Sequence, residues 1–374
     1  MSEKNKKLYI HGIRGIPASH GGFETFAEFL APYLVEHGWD VTVYCQELGS
    51  GAPYTDTWKG VELIHIPVSS DGTKGSILFD WLSVKDASRK EGLNLTLGYN
   101  TAVFSFYLRL KNKINLINMD GIEWKRQKWS KPIQAWFYIN ERLGCWLGNH
   151  LFADHPDICK HLETRVKSEK ITTIPYGSDL LLASDPGILE QYEIEPNKYA
   201  LIIARPEPEN SIKEIVAAFS RKPRDFKLVV LGNYDPDEMP YHKEVLDAAN
   251  ESVKFVGAIY DQTIVNALRF YTRLYIHGHQ VGGTNPSLVE MLGAGAPVLA
   301  HDNKFNRWVA GSGAHFFADE DVCSAEFDAI LNDDRELDNM REASRLQHEK
   351  EFTWGKVLTA YDKTLTEWHQ KIGA

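Results

Sequence analysis

The run from Gly278 to Val298 holds the residues best suited to chemistry. A polar, glycine-rich loop (His279, Gly282, Gly283, Thr284, Asn285) leads into a helix whose first turns carry Glu290. Such a loop offers backbone N–H groups and the positive end of a helix to an anion, with His279 in reach of a phosphate. A carboxylate one or two turns into the helix accepts hydrogen bonds from sugar hydroxyls. A second glycine-rich loop, Gly12 to Phe26, follows the first strand. Its spacing does not fit the dinucleotide fingerprint GxGxxG. Its diglycine, Gly21-Gly22, stands at a helix start where a diphosphate can approach with no Cβ in the way, and Arg14 adds charge. The ordinary alternative is a tight strand-to-helix turn.

Two further clusters carry chemistry. Asp120 closes the apolar stretch Ile114–Met119, at the strand edge where α/β proteins bind ligands, with Glu123 one turn on. Either carboxylate can orient or deprotonate a hydroxyl, or merely cap a helix and pair with a cation. Beside them stand Trp124, Lys125, Arg126, Lys128 and Trp129, followed by Trp136-Phe137-Tyr138. Tryptophans interleaved with cations suit a membrane interface or stacking on an acceptor's sugars; the bland reading is the basic face of a core helix. Asp235-Pro236-Asp237 reads as a capped turn instead of a metal pair, so no metal or other cofactor is expected.

These residues must be positioned by alternating strands and helices. Strands are expected at Leu8–His11, Asp40–Cys45, Val61–Val68, Asn94–Leu97, Ile114–Asn118 and His150–Ala153, with a helix over Phe23–His37. The pattern restarts with strands at Tyr199–Ala204, Lys227–Gly232, Val253–Val256, Leu274–His277 and Pro297–Ala300 and a helix at Ile212–Phe219. Asp179–Asn197, polar and proline-containing, reads as a linker. The expected fold class is α/β, two Rossmann-like domains facing a cleft. The expected divisions are an acceptor-binding domain over 1–185, a nucleotide-sugar domain over 186–352, and a helix over 353–374 crossing back to the first.

Composition narrows the function classes. The 374 residues exceed one ordinary core. A net charge of −10 argues against nucleic acid as a partner. Cys45, Cys145, Cys159 and Cys323 lack zinc spacing and read as free thiols in a reducing cytosol. Lys4 to Lys7 lead straight into a strand, so no signal peptide is expected, and no run of about 18 apolar residues predicts a membrane span.

Taken together, GxRGIPAxxGGFETF (Gly12–Phe26), DGIEWKRxKW (Asp120–Trp129), IPYG (Ile174–Gly177), ARPEPEN (Ala204–Asn210), GHxVGGTNPSLVEMLGAGAPVLA (Gly278–Ala300) and HDNKFNR (His301–Arg307) resemble the GT-B retaining glycosyltransferases of family 4, in particular the rhamnosyltransferase-like subgroup. The resemblance implies transfer of a sugar, L-rhamnose from dTDP-β-L-rhamnose, to a lipid-linked glycan acceptor in surface polysaccharide synthesis. It implies that Glu290 binds the donor ribose and Arg205 the diphosphate. The free thiols and the tryptophan–cation patch lead us to expect a cytoplasmic protein, peripheral at the inner face of the plasma membrane. Many members have a lysine where this chain has Asn210, a second glutamate where it has Gly282, and a histidine where it has Asp120. Lys213 is a candidate replacement for the missing lysine, and a loop of Gly282, Gly283 and Thr284 is compatible with a deoxy sugar. Competing expectations are a UDP- or GDP-sugar donor, a sugar-nucleotide epimerase or hydrolase on the same fold, and a non-catalytic sugar-binding relative.

Overall fold

The computed structural model describes residues 6–19, 21–70 and 72–372. Lys4, on which part of the N-terminal expectation rests, lies outside them. The chain forms two compact units: Met1–Tyr176 with Trp354–Ala374, and Gly177–Thr353. The division falls at Tyr176/Gly177, ahead of the expected 185.

The first unit is built on strands β1 (Lys6–His11), β2 (Trp39–Leu48), β3 (Tyr54–Trp58), β4 (Val61–Val68), β5 (Leu93–Leu97), β6 (Asn115–Asn118), β7 (His150–Ala153) and β8 (Ile171–Thr173). Helices α1 (Gly22–Glu36), α2 (Thr73–Ala87), α3 (Ser105–Leu110), α4 (Lys131–Leu147) and α5 (Pro156–Glu163) connect them. The sheet order is β3-β4-β2-β1-β5-β6-β7-β8, parallel except for the β3–β4 pair. The central strands are covered on both faces, so every residue of β5 is buried, the polar Asn94 and Thr96 included. The last helix, Trp354–His369, closes this core: Trp354, Val357, Leu358, Tyr361 and Leu365 join Phe26 and Leu30 of α1. Its Tyr361 hydroxyl accepts from Asn118 Nδ2 at 2.8 Å, and Asp362 accepts from the Trp39 indole at 2.8 Å.

The second unit holds β9 (Tyr199–Ile203), β10 (Lys227–Leu231), β11 (Val253–Gly257), β12 (Leu274–His277), β13 (Val298–His301) and β14 (His315–Phe317). Its helices are α6 (Ile212–Ser220), α7 (Pro240–Asp247), α8 (Gln262–Phe270), α9 (Pro286–Gly293), α10 (Lys304–Ala310), α11 (Glu320–Ile330) and α12 (Asp334–Glu351). The order is β11-β10-β9-β12-β13-β14, all parallel. In each sheet the chain first builds outward on one side and then returns to build on the other. The reversal lies between β1 and β5 in the first sheet and between β9 and β12 in the second, which are the topological switch points where α/β sheets bind ligands.

The expected linker is not a linker. Pro186–Tyr192 is a 3-10 helix capped by Asp185 and buries Leu189, while the Tyr271 hydroxyl donates to Ser184 O at 2.6 Å. These residues belong to the second unit's own packing. Three strands went unanticipated, β3, β8 and β14; the last two have three residues each, and β3 is an edge strand.

Candidate functional site

At the second unit's switch point, the loops after β9 and β12 are sewn to each other. Ser211, left-handed at φ 51°, caps α6 and donates from Oγ to Gly278 O at 2.8 Å. Gln280 donates through Nε2 to Ser211 Oγ at 2.9 Å and through its amide to Glu209 O at 2.9 Å. A Cβ on Gly278 would stand 2.0 Å from Asn210 O, so only glycine fits that crossing. Asn210 is buried and its Nδ2 donates to Arg205 O at 2.8 Å. It shapes the loop instead of reaching outward. Arg205 itself is exposed, and among the described residues no carboxylate pairs with it. Lys213 is committed elsewhere, to Glu244 at 2.6 Å.

The loop after β12 rests on a histidine stack. His277 and His279 lie ring on ring, centroids 4.3 Å apart, and burial holds His277 neutral far below its ordinary value. Asn303 and Asn306 donate to His279 O at 3.0 and 2.8 Å, fixing where the loop begins. Gly282 follows at φ 135° with open space around its Cβ position; its glycine serves backbone conformation, not packing. Thr284 is buried, and Gly283 lies half-buried between them. Asn285 caps α9, its Oδ1 accepting from Ser287 N at 3.1 Å. The half-buried Glu290 is gripped by Arg269 of α8. Burial pushes the Glu290 carboxyl up, and the guanidinium opposes that shift.

The N-terminal loop is wired differently. Glu24, buried in the first turn of α1, accepts from Arg14 N at 3.0 Å and Gly21 N at 3.1 Å, and Glu28 accepts from Ala18 N at 2.9 Å. Two carboxylates thus occupy three loop amides that the sequence reading offers to a phosphate. Gly12 and Gly15 serve conformation and packing: both have positive φ, and added Cβ atoms would meet Leu97 O at 2.5 Å and Cys45 Sγ at 2.7 Å. Gly22 opens α1. The Arg14 side chain lines a cavity of about 410 Å³ with Gln46, Glu47 and His65.

Asp120 follows β6 in a left-handed conformation, φ 52°, strained for a non-glycine residue. Its carboxyl rises to about 7, first through burial, then through Glu123, with Asp154 adding to the push. Glu123 is not available as a base: it accepts from Arg126 NH1 at 2.9 Å and from the Trp129 indole at 3.2 Å. Buried Tyr99 ties the loop down, donating to Gly121 O and accepting from Glu123 N. The Trp124 indole donates at 2.7 Å to Glu141, a buried carboxylate also held by His161 and Arg165 and kept ionised by them. Both tryptophans therefore spend their N–H groups inside the fold, with Lys125 and Lys128 lying over their rings at 5.3 and 4.8 Å. The exposed apolar surface lies one element on, at Ile133, Trp136, Ile139 and Trp146 of α4 and Phe106 and Leu110 of α3.

His155 is a buried helix cap, and Asp235 caps its turn through Glu238 N. The four cysteines are free, Cys159 half-buried and the rest buried. Among the described residues no helix is long and apolar enough to cross a membrane. Sequence reasoning missed Arg269, Tyr99 and Glu141, whose partners lie far along the chain, whereas Glu24, which it counted toward a ligand loop, stands at the capping-box position three residues after Gly21.

Residues 187–347, which contain the sewn loops, Arg205 and Glu290, match the family described as glycosyl transferases group 1. The chain is a glycosyltransferase. Residues 5–179 of this glycosyltransferase match a domain of unknown function, DUF1972. No curated protein matches this chain by sequence. Its fold is that of GT-B enzymes. A sucrose-phosphate synthase from Thermosynechococcus elongatus superposes with a TM-score of 0.81 at 17% identity, over 97% of this chain and 99% of that one. The Anabaena protein HepE, solved with UDP and glucose, gives 0.75 at 14% identity over 97% and 99%. A Rickettsia africae glycosyltransferase gives 0.72 at 14% over 98% and 99%.

Proposed function

We propose that this glycosyltransferase moves L-rhamnose from dTDP-β-L-rhamnose onto a lipid-linked glycan with retention of anomeric configuration. The observation that carries the donor half is Arg205: an exposed guanidinium at the switch point, without a carboxylate partner among the described residues, beside a loop that opens at Gly282. Departure of the diphosphate builds negative charge on its outer oxygens. A preorganised guanidinium and main-chain N–H groups lower that barrier, and losing one such donor costs on the order of 100-fold in rate. HepE, which shares this fold, was solved with UDP and glucose, and that supports a nucleotide-sugar donor here. Glu290 takes the nucleoside's sugar. On this reading no divalent cation is required.

Acceptor handling falls to Asp120 in the first unit. Its raised carboxyl and strained backbone are the signs of a group held for a task, and it receives or orients the acceptor hydroxyl's proton. Glu123, Arg126, Trp124 and Trp129 build the loop that holds it. The exposed Trp136, Ile139 and Trp146, with Arg142 and Lys131 on the same helix, support contact with the anionic leaflet that carries a lipid-linked acceptor. The test is turnover of dTDP-rhamnose on lipid-extract acceptors in EDTA, with UDP-glucose and GDP-mannose alongside. Turnover confined to UDP- or GDP-sugars overturns the donor; loss in EDTA overturns metal independence; rapid donor breakdown without acceptor favours a hydrolase or epimerase.

A further inference from the structure

One cavity of the first unit plays no part in the chemistry above. It measures about 410 Å³ and lies where the loop after β1 meets the end of β2 and His65 of β4. That is the small end of ligand sites, which run from about 300 to 1,000 Å³. Its walls are held in place from outside. Gln46 N donates to Arg14 O at 2.8 Å, and Gly15 is pressed so near Cys45 that a Cβ would stand 2.7 Å from Sγ. His65 Nδ1 donates to Glu47 Oε1 at 2.7 Å, and Tyr54 stacks on the His65 ring with centroids 4.5 Å apart.

Two opposite charges line this cavity without meeting. Arg14 is exposed, and no carboxylate of the described residues pairs with it, although Glu47 lines the same space. The lining therefore offers a guanidinium that only donates, a carboxylate that only accepts, and the Gln46 amide, which does both. A phosphate would find the arginine but be repelled by Glu47, and a cation would meet the reverse. A sugar satisfies both walls, because each hydroxyl donates one hydrogen bond and accepts others. Pro17 and the exposed Leu48 give its C–H faces an apolar surface.

Position ties the cavity to the acceptor. Strands β2 and β6 stand three spacings apart in the sheet, roughly 14 Å along one carboxyl edge. That is too far from Asp120, which follows β6, for the hydroxyl that reacts, and near enough for another unit of the same glycan. We propose that this cavity is a subsite for a neutral sugar unit of the acceptor glycan, other than the unit that receives the transferred sugar, with Arg14 and Glu47 as its opposed hydrogen-bonding walls. The inference rests on the acceptor reading above and deepens it.

The test is saturation-transfer NMR on the full chain with the methyl α-glycosides of glucose, galactose, mannose and N-acetylglucosamine, with dTDP in the same samples. At least one glycoside receives saturation from the protein. Arg14→Met and Glu47→Gln each weaken its binding by about threefold to tenfold, the worth of one hydrogen bond, and leave dTDP binding unchanged. Should Glu47→Gln fail to fold, Arg14→Met decides alone, since its side chain lies in solvent. Saturation of no glycoside, equal saturation in parent and variants, or displacement of the glycoside by inorganic phosphate overturns the inference. In each of those cases transfer to lipid-extract acceptors, measured alongside, leaves the acceptor reading standing. No transfer by the parent protein overturns that reading and, with it, the assignment of the cavity to an acceptor.

Discussion

The two glycine-rich loops share a composition and occupy equivalent places, each leaving the first strand of its sheet's switch point or the strand beside it. Their wiring is opposite. After β1, Glu24 and Glu28 take up the amides of Arg14, Ala18 and Gly21, and Gly12 and Gly15 are pressed against Leu97 and Cys45. After β9 and β12, the hydrogen bonds run between the loops, and an exposed arginine and an open Gly282 are what remain. Glycine content alone does not distinguish a ligand loop from a packed turn. What distinguishes them is whether the amides already have carboxylate partners and whether a Cβ would meet protein or empty space.

The comparison breaks most severely at Arg205. Arg205→Ala is expected to lower kcat by about 100-fold or more with little change in Tm, measured on donor turnover and by thermal denaturation. A loss below tenfold would place the anion elsewhere, and would return Arg14 to consideration.

Glycine replacements sharpen it next. Gly278→Ala drives a Cβ into Asn210 O and should cost several kcal/mol of stability in denaturant titration. Gly282→Ala meets no atoms, so it should cost only about 1–3 kcal/mol of backbone strain while weakening nucleotide binding. If Gly282→Ala binds nucleotide normally, that loop is not where the diphosphate lies.

Glu24→Ala frees Arg14 N and Gly21 N, and leaving such groups without partners should cost about 1–3 kcal/mol in urea unfolding, with nucleotide affinity unchanged. A gain in nucleotide affinity would instead restore the first loop as a phosphate site.

A last test lies in pH dependence. Asp120 has its carboxyl raised to about 7 in the fold, against roughly 3.9 when unfolded. The folded state thus binds the extra proton between those values; this contribution is full below about pH 4 and is lost as pH rises through 7. Asp120→Asn should therefore gain stability relative to the parent as pH rises from about 4 to 7, read as a difference in Tm. A parallel pair of curves would mean that Asp120 titrates normally.

Much of this architecture is legible in the residues, and the exceptions have causes. Strands such as Tyr199–Ile203 and Lys227–Leu231 are short, largely apolar runs buried on both sides, the clearest pattern a parallel sheet produces. Tyr54–Trp58 has almost no buried face, so no period-2 signal betrays it. Ile171–Thr173 and His315–Phe317 are too short to show any. Pro186–Tyr192 looked like a linker because its 3-10 turns bury one side chain, Leu189. In the site, glycines, Arg205 and Glu290 announce themselves by type and spacing. The partners that decide their roles do not: Arg269 meets Glu290 across 21 residues, and Glu141 meets Trp124 across 17, contacts that only the fold creates.

The closing helix has a consequence for how the molecule comes into being. Leu365 and Tyr361 complete a core begun by Leu8 and Ile10, so everything from Gly177 to Thr353 is spliced into the middle of an unfinished neighbour. The inserted portion can collapse as soon as it is made, whereas the earlier-made portion waits, its seam open, until Trp354–His369 has followed. Deleting that helix would thus injure the first unit and spare the second.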